Sequence, residues 1–343
     1  MAGIIKRTGV VAWFIGIAAL IGLTVWSGAD LVGQALANVG WGILLVVMVR
    51  AVTIAVAGAG SWLLFPPSTR PPLQTCVFLR FIREAANVLL PLTQIGGDLI
   101  GARLFTFRGV PGPLAAAGTI VDVLVQAATQ FLFAIVGLLA LVALGVDDTL
   151  AWIAGIGLAV MAPALAGFYL AQRRGGHRIL RFVLDRLLGD RKWLILGTVD
   201  SVYQYLTMIY AGRAALFASI VVHMAGWLFG VAEVLIALAL MGHPLSFSEA
   251  LVIESLTQAI RGAAFAIPGG LGAQEGGLVV LCAIFGIPPE QALALSLVKR
   301  VADLTLGVPG LLAWQVLEGA RFRGNQSRRE GQPQTSIDHR PRR

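Results

Sequence analysis

Two proline–glycine breaks in this chain each carry an acid at the same distance. Pro91 is followed by Asp98 and Pro268 by Glu275, seven residues on in both cases (91 to 98, 268 to 275). Arg80, Arg83, Glu84 and Arg103 flank the first break, and Asp122, Gln126 and Gln130 follow at helical spacing on one polar stripe. Before the second break Glu254, Gln258 and Arg261 share a helical face, and Gln274 and Glu275 lie just after it. Lys299, Arg300 and Asp303 come later, with Lys299 and Asp303 spaced to pair. Arg50 and Glu233 are lone charges in other apolar runs. A charge at membrane depth costs about 2.5–3.5 kcal/mol on insertion scales, so each is a functional candidate. Arg83, Arg103, Gln126, Gln258, Arg261, Gln274 and Arg300 have the donors to bind a polar ligand. Glu84, Asp98, Asp122, Glu254, Glu275 and Asp303 suit charge balance or proton coupling. Simpler roles stand beside these. Asp98 and Glu275 start half-helices, where a carboxylate caps free N–H groups. Arg80 with Glu84 is a neutralising pair, Arg80 and Arg108 are placed to snorkel to a membrane surface, and His223 suits helix packing.

These residues are conspicuous because the rest of the chain is apolar. Of 343 residues, 57% are hydrophobic and 13% charged, about half the roughly 25% of a soluble domain. Mean hydropathy is +0.82. Several windows approach the ~20 residues that cross a bilayer, among them 9–26, 41–65, 131–146, 151–171 and 216–241. The first is too long for a typical signal-peptide core and reads as an uncleaved helix. Cys76 and Cys282 read as core residues, and the four histidines show no ligand spacing, so neither disulfide, metal nor cofactor is expected. The net charge of +8 comes from clustered basic segments, so no nucleic-acid partner is expected.

Basic loops mark the cytoplasmic side. Lys6/Arg7, the run 173–192 and the tail after Arg321 therefore lie inside, and Asp30 and Asp147-Asp148 outside. Both termini are cytoplasmic. The stretch 177–188 alternates arginine with apolar residues and suits an interfacial helix, or equally a solvated linker. Counting crossings gives about six spanning helices. The segments around the two breaks must then start and end on one side, as re-entrant helical hairpins centred on Pro91, Gly96 and Gly97 and on Pro268, Gly269, Gly270 and Gly272.

With the two prolines aligned, Gly109-Val110-Pro111 matches Gly286-Ile287-Pro288 at equal offsets. The fold expected is thus an all-α polytopic integral membrane protein with two oppositely oriented re-entrant hairpins forming an inverted repeat. Repeat 1 covers about 74–146 and repeat 2 about 247–316, within a single transmembrane domain of residues 1–320. A cytoplasmic amphipathic segment of about 173–212 lies between them, and 321–343 is a disordered basic tail. Inverted repeats with broken helices are a recurring transporter plan, and broken backbone at membrane depth must face protein or a polar cavity.

The segments "LLPLTQIGGDLIGARLFTFRGV" (89–110), "AIPGGLGAQEGG" (266–277) and "SLVKRVADL" (296–304) resemble the lysylphosphatidylglycerol synthase transmembrane-region family, nearest its hopanoid-biosynthesis-associated branch. The resemblance covers roughly residues 5–320. It implies a lipid flippase or transporter in the bacterial inner membrane, with membrane lipids, a hopanoid among them, as partners, alongside lipid-biosynthesis or export machinery. A homo-oligomer is compatible with it. The synthase domain of larger relatives is absent from this sequence, so no enzymatic activity is expected. Asp98–Arg103 with Gly118, Asp122 and Gln126 partly echoes a CDP-alcohol phosphotransferase signature. Leu99 and Gln126 break that signature, and glutamine cannot act as a base. An ion-coupled small-solute transporter and a scaffold are the remaining alternatives, and a scaffold's soluble or coiled-coil appendage is not in the sequence.

Overall fold

The computed structural model describes residues 29–90, 96–145, 148–173, 199–264, 267 and 270–330. The first span, Pro91, Pro268, Gly269, the Asp147 connection, the interfacial stretch 177–188 and the chain beyond 330 lie outside these residues. The described residues are helical, with no strand: α1 (Ala29–Val39), a 3₁₀ turn (Gly40–Gly42), α2 (Ile43–Leu63), α3 (Leu73–Leu89), α4 (Gly96–Phe107), α5 (Gly112–Leu144), α6 (Asp148–Arg173), α7 (Val199–Ala211), α8 (Arg213–Leu240), α9 (Phe247–Ala263), α10 (Ala273–Ile284) and α11 (Pro289–Glu330). Among the described residues, four segments are long and apolar enough to cross a membrane: Val32–Leu63, Gly112–Leu144, Ala151–Gln172 and Arg213–Leu240. Helix α11 carries its own outward apolar stripe, Leu304, Val308, Leu312 and Val316, and continues to Glu330, past the expected start of a disordered tail at 321. Within the expected amphipathic segment, α7 buries Val199, Val202, Leu206 and Ile209 against α5 and its neighbours.

The two Gly-aliphatic-Pro elbows fold alike. Gly109 (φ 84°) and Gly286 (φ 71°) take left-handed backbone that side-chain-bearing residues avoid. The next N–H closes the preceding helix, Val110 N to Phe105 O at 3.2 Å and Ile287 N to Cys282 O at 3.1 Å. After the prolines the new helices begin with Ala115 N to Pro111 O and Ala292 N to Pro288 O. Every partner in one elbow is 177 residues from its counterpart in the other, the separation of Pro91 and Pro268.

Packing follows the same equivalence. Helix α3 lies along α11, with Gly307 against Leu89 and Gly310 against Phe81 and Ala85. Helix α9 lies along α5, with Gly262 against Gln130 and Gly137 against Ser255. Both pairs are antiparallel. So are α2 and α8, where Ser219 Oγ donates to Gly60 O at 2.9 Å and Gly42 meets Leu240. One apolar cluster gathers Leu64, Cys76, Phe105, Val110, Leu114 and Leu206, with Leu216 and Trp314 against it. The other gathers Val46, Leu141, Leu238, Ala250, Cys282, Ile287 and Ala292. Helices α2, α5, α8 and α11 each contribute to both clusters from opposite ends, so the clusters mark the two ends of the bundle. The pair α3/α4 begins and ends at the first cluster and α9/α10 at the second.

Close helix contact at Gly58 gives a test. A methyl there would sit 2.7 Å from the Val77 backbone, whereas one at Gly157 meets nothing. Gly58→Ala is expected to destabilise the purified protein by about 1–3 kcal/mol, and Gly157→Ala not at all, in thermal unfolding in detergent. Equal melting of both variants would contradict the α2–α3 packing.

Candidate functional site

Between the N-terminal half (residues 29–144) and the C-terminal half (213–330) lies a cavity of about 390 Å³. That is within the roughly 300–1,000 Å³ range of ligand pockets. Its wall carries four cations, Arg50, Arg80, Arg83 and Arg261, and four carboxylates, Glu84, Asp98, Glu233 and Glu254. Asn87, Gln126, Gln130 and Gln258 supply amides, and Trp227 an aromatic face. Helices α2, α3, α4, α5, α8 and α9 all contribute.

Asp122 on α5 is the centre of one polar network and is 2% exposed. Arg83 bridges it to Asp98 through two short ion pairs. Ser61 Oγ and Gln126 Nε2 each donate to it at 2.7 Å, and Arg80 Nη1 lies 3.5 Å away. Arg80 also donates to Gln126 Oε1 at 2.6 Å and pairs with Glu84 at 3.4 Å. It is thus held inside the protein and does not snorkel, because three acceptors on α3 and α5 surround it. The His223 ring contacts Ser219 O through Nδ1 at 2.9 Å and Asp122 through Nε2 at 3.4 Å.

Lys299 on α11 is the centre of the other network and is 1% exposed. Its Nζ lies 2.7 Å from Glu254 and 3.2 Å from Glu233. Gln258 Nε2 donates to Glu254 at 2.8 Å. Arg50 reaches Glu233 at 2.9 Å and Asp303 at 3.6 Å. Lys299 stands 177 residues after Asp122, so equivalent positions hold opposite charges, and each is neutralised mainly by its own half. At cavity depth, among the described residues, the ion pairs between halves are those of Arg50 with Glu233 and Asp303, and the His223 ring also meets Asp122.

The structure brings Arg83, Glu84, Asp98, Gln126, Glu254, Gln258 and Arg261 to the cavity wall. The Arg261 side chain packs against Gly270 (φ 62°) and makes no hydrogen bond or ion pair among the described residues. Other expected ligand-binding residues lie elsewhere. Arg103 is exposed and pairs with Glu318 at 3.0 Å, because its face of α4 turns outward. Gln274 is buried away from the cavity. Arg300 pairs with Glu275 at 3.0 Å, and Glu275 also accepts from Ser296 at 2.8 Å and from the backbone N of Gly272 (φ 80°) at 2.6 Å. Glu275 is therefore a helix cap, fully buried off the cavity. Asn87 accepts from Gly97 N at 2.7 Å, beside Gly96 at the start of α4, and Asp98 pairs with Arg83. Lys299 and Asp303 do not pair, since the stronger partners of Lys299 lie on α8 and α9.

Reading single spans hid Arg50 and Glu233, which pair across α2 and α8. The signal that relates Lys299 to Asp122 was present in the 177-residue offset.

A family model described as lysylphosphatidylglycerol synthase TM region matches residues 13–310. The chain belongs to that family and is a multi-pass membrane protein of a lipid-handling lineage. No curated protein and no solved structure matches it.

Removing one partner of a buried ion pair costs about 3–5 kcal/mol, an exposed pair under about 1 kcal/mol. Asp122→Asn is therefore expected to lower the unfolding midpoint of the detergent-purified protein sharply, and Arg103→Ala hardly at all. Equal shifts would refute the Asp122 network.

Proposed function

We propose that this protein moves a polar-headed lipid across or out of the bacterial inner membrane, as a flippase or transporter and not as an enzyme. The observation that carries this is a headgroup-sized cavity walled by charges of both signs within an apolar, lipid-facing bundle. The headgroup occupies the cavity while the tail stays in hydrocarbon. Arg261, with no counter-charge among the described residues, takes an anionic part of the headgroup. Gln126 and Gln258 add hydrogen bonds, and Arg83, Glu84, Asp98, Asp122 and Glu254 keep the wall near neutrality. Arg103, Gln274, Arg300 and Glu275 are left out of the headgroup contacts.

In this reading α3/α4 and α9/α10 are re-entrant hairpins of an inverted repeat, with about six spanning helices around them. The matching elbows, the antiparallel α2 and α8, and the placement of each pair at an opposite apolar cluster support it. The end bearing Arg70, Arg103, Arg108, Arg213 and Arg321 faces the cytoplasm with both termini. The end bearing Asp30, Glu249 and Glu290 faces outward. The hopanoid-biosynthesis-associated branch makes a hopanoid one candidate cargo, with lipid-biosynthesis or export machinery as partner.

A cavity of both signs also fits a zwitterionic solute, the second reading. Vesicles reconstituted with the protein and a tail-labelled fluorescent phospholipid separate the two. The wild type is expected to speed exchange between leaflets. Arg261→Ala should slow it about tenfold, the equivalent of 1.4 kcal/mol, and Arg103→Ala should leave it unchanged. Exchange at the wild-type rate in Arg261→Ala would remove the cavity from the pathway. Solute uptake without lipid exchange would favour the second reading.

A further inference from the structure

In the network around Lys299, three carboxylates meet two cations. Glu254 has Lys299 and Gln258, and Glu233 shares Lys299 and Arg50. Asp303 receives least. Its only ion pair among the described residues is Arg50 Nε at 3.6 Å, and its Oδ2 is buried without a hydrogen-bond partner. The residue is 8% exposed, and an ionised carboxylate so enclosed pays desolvation with little return.

Asp303 lines a second, smaller pocket of about 10 Å³, close to the least volume that holds one water. Arg50, Glu84, Ile54 and Val88 line both this pocket and the main cavity, and Phe81 and Gly307 close its far side. The Glu84 side chain is 28% exposed, so it can exchange with cavity water. A short route thus runs from cavity water to Glu84, through a one-water pocket, to Asp303.

We propose that Asp303 is a proton-binding site, loaded from the main cavity through Glu84 and the small pocket. A hydronium gives its proton to Asp303 Oδ2, leaving a neutral carboxylic acid and a water, with no redox change. A neutral Asp303 no longer holds Arg50, which loses one of its two links to the C-terminal half and keeps Glu233. Proton occupancy thereby weakens the connection between halves. The charged groups around Asp303 are Arg50 from α2, Glu84 and its partner Arg80 from α3, Glu233 from α8, Glu254 from α9, Glu275 from α10, and Lys299 and Arg300 on α11. Asp30 stands exposed at the start of α1, which also packs on α11. Lys299 and Arg300 are both engaged by other carboxylates.

The purpose of this site rests on the transport reading, but its chemistry does not, and two experiments keep them apart. Infrared difference spectra of the purified full-length protein, stepped between acid and neutral pH, should show a protonated-carboxyl C=O band. The band should be lost in Asp303→Asn and kept in Asp303→Glu. No such band in the wild type, its persistence in Asp303→Asn, or its replacement by a sodium-dependent signal would overturn the proposal. In vesicles, an imposed pH gradient should change lipid exchange by the wild type and have no effect on Asp303→Asn, with Glu84→Gln slowing the response. An intact band without any lipid exchange would defeat the lipid reading and leave the proton site standing. Should Asp303→Asn fail to fold, the Glu84→Gln response decides, and a wild-type rate there overturns the route.

Discussion

An ionised side chain buried in an apolar bundle loses its hydration, a cost offset only by a counter-charge and hydrogen bonds within the protein. That demand organises the centre of this molecule. Asp122 has Arg83, Ser61 and Gln126 at bonding distance, and Lys299 has Glu254 and Glu233. The helices that carry these partners must approach closely and in fixed register. Small residues such as Gly58, Gly60 and Gly137 allow the approach. The glycine elbows at 109 and 286 then return the chain into α5 and α11, which carry the two central residues.

Equivalent positions with opposite charges have a clear electrostatic effect. A cavity with like hubs would act as a trap for ions of one sign. Here the anionic hub is enclosed by arginines and the cationic hub by glutamates, and both cavity walls carry charges of both signs. A ligand with separated charges, or a neutral polar one, meets a complementary surface on both sides.

Much of this could be read from the chain alone. Apolar windows and sparse charge marked a helical membrane protein, and the equal spacing of the two Gly-aliphatic-Pro segments anticipated two elbows with matching backbone bonds. The polar stripe of Glu254, Gln258 and Arg261 faces the cavity as its helical spacing implied. Partner choice was less legible. Lys299 and Asp303 have ideal spacing on one helix, yet the energetics of burial favour partners on α8 and α9 that bring more complete neutralisation. Arg80 has the length to snorkel, but three acceptors hold it. Asn87 accepts from Gly97 N at one helix start, whereas the residue 177 positions on is Ala264, and there Glu275 accepts from Gly272 N. Such outcomes depend on contacts between distant segments, which local pattern does not encode.

Each half balances most of its own internal charge, and the described ion pairs between them at the waist are few. The two halves therefore behave as electrostatically self-contained bodies. Among the described ion pairs, sliding one past the other breaks those of Arg50 at the waist and the exposed Arg103–Glu318 pair at one end. A shear of that kind would be governed by side-chain packing at the apolar ends, with a single guanidinium serving as the latch.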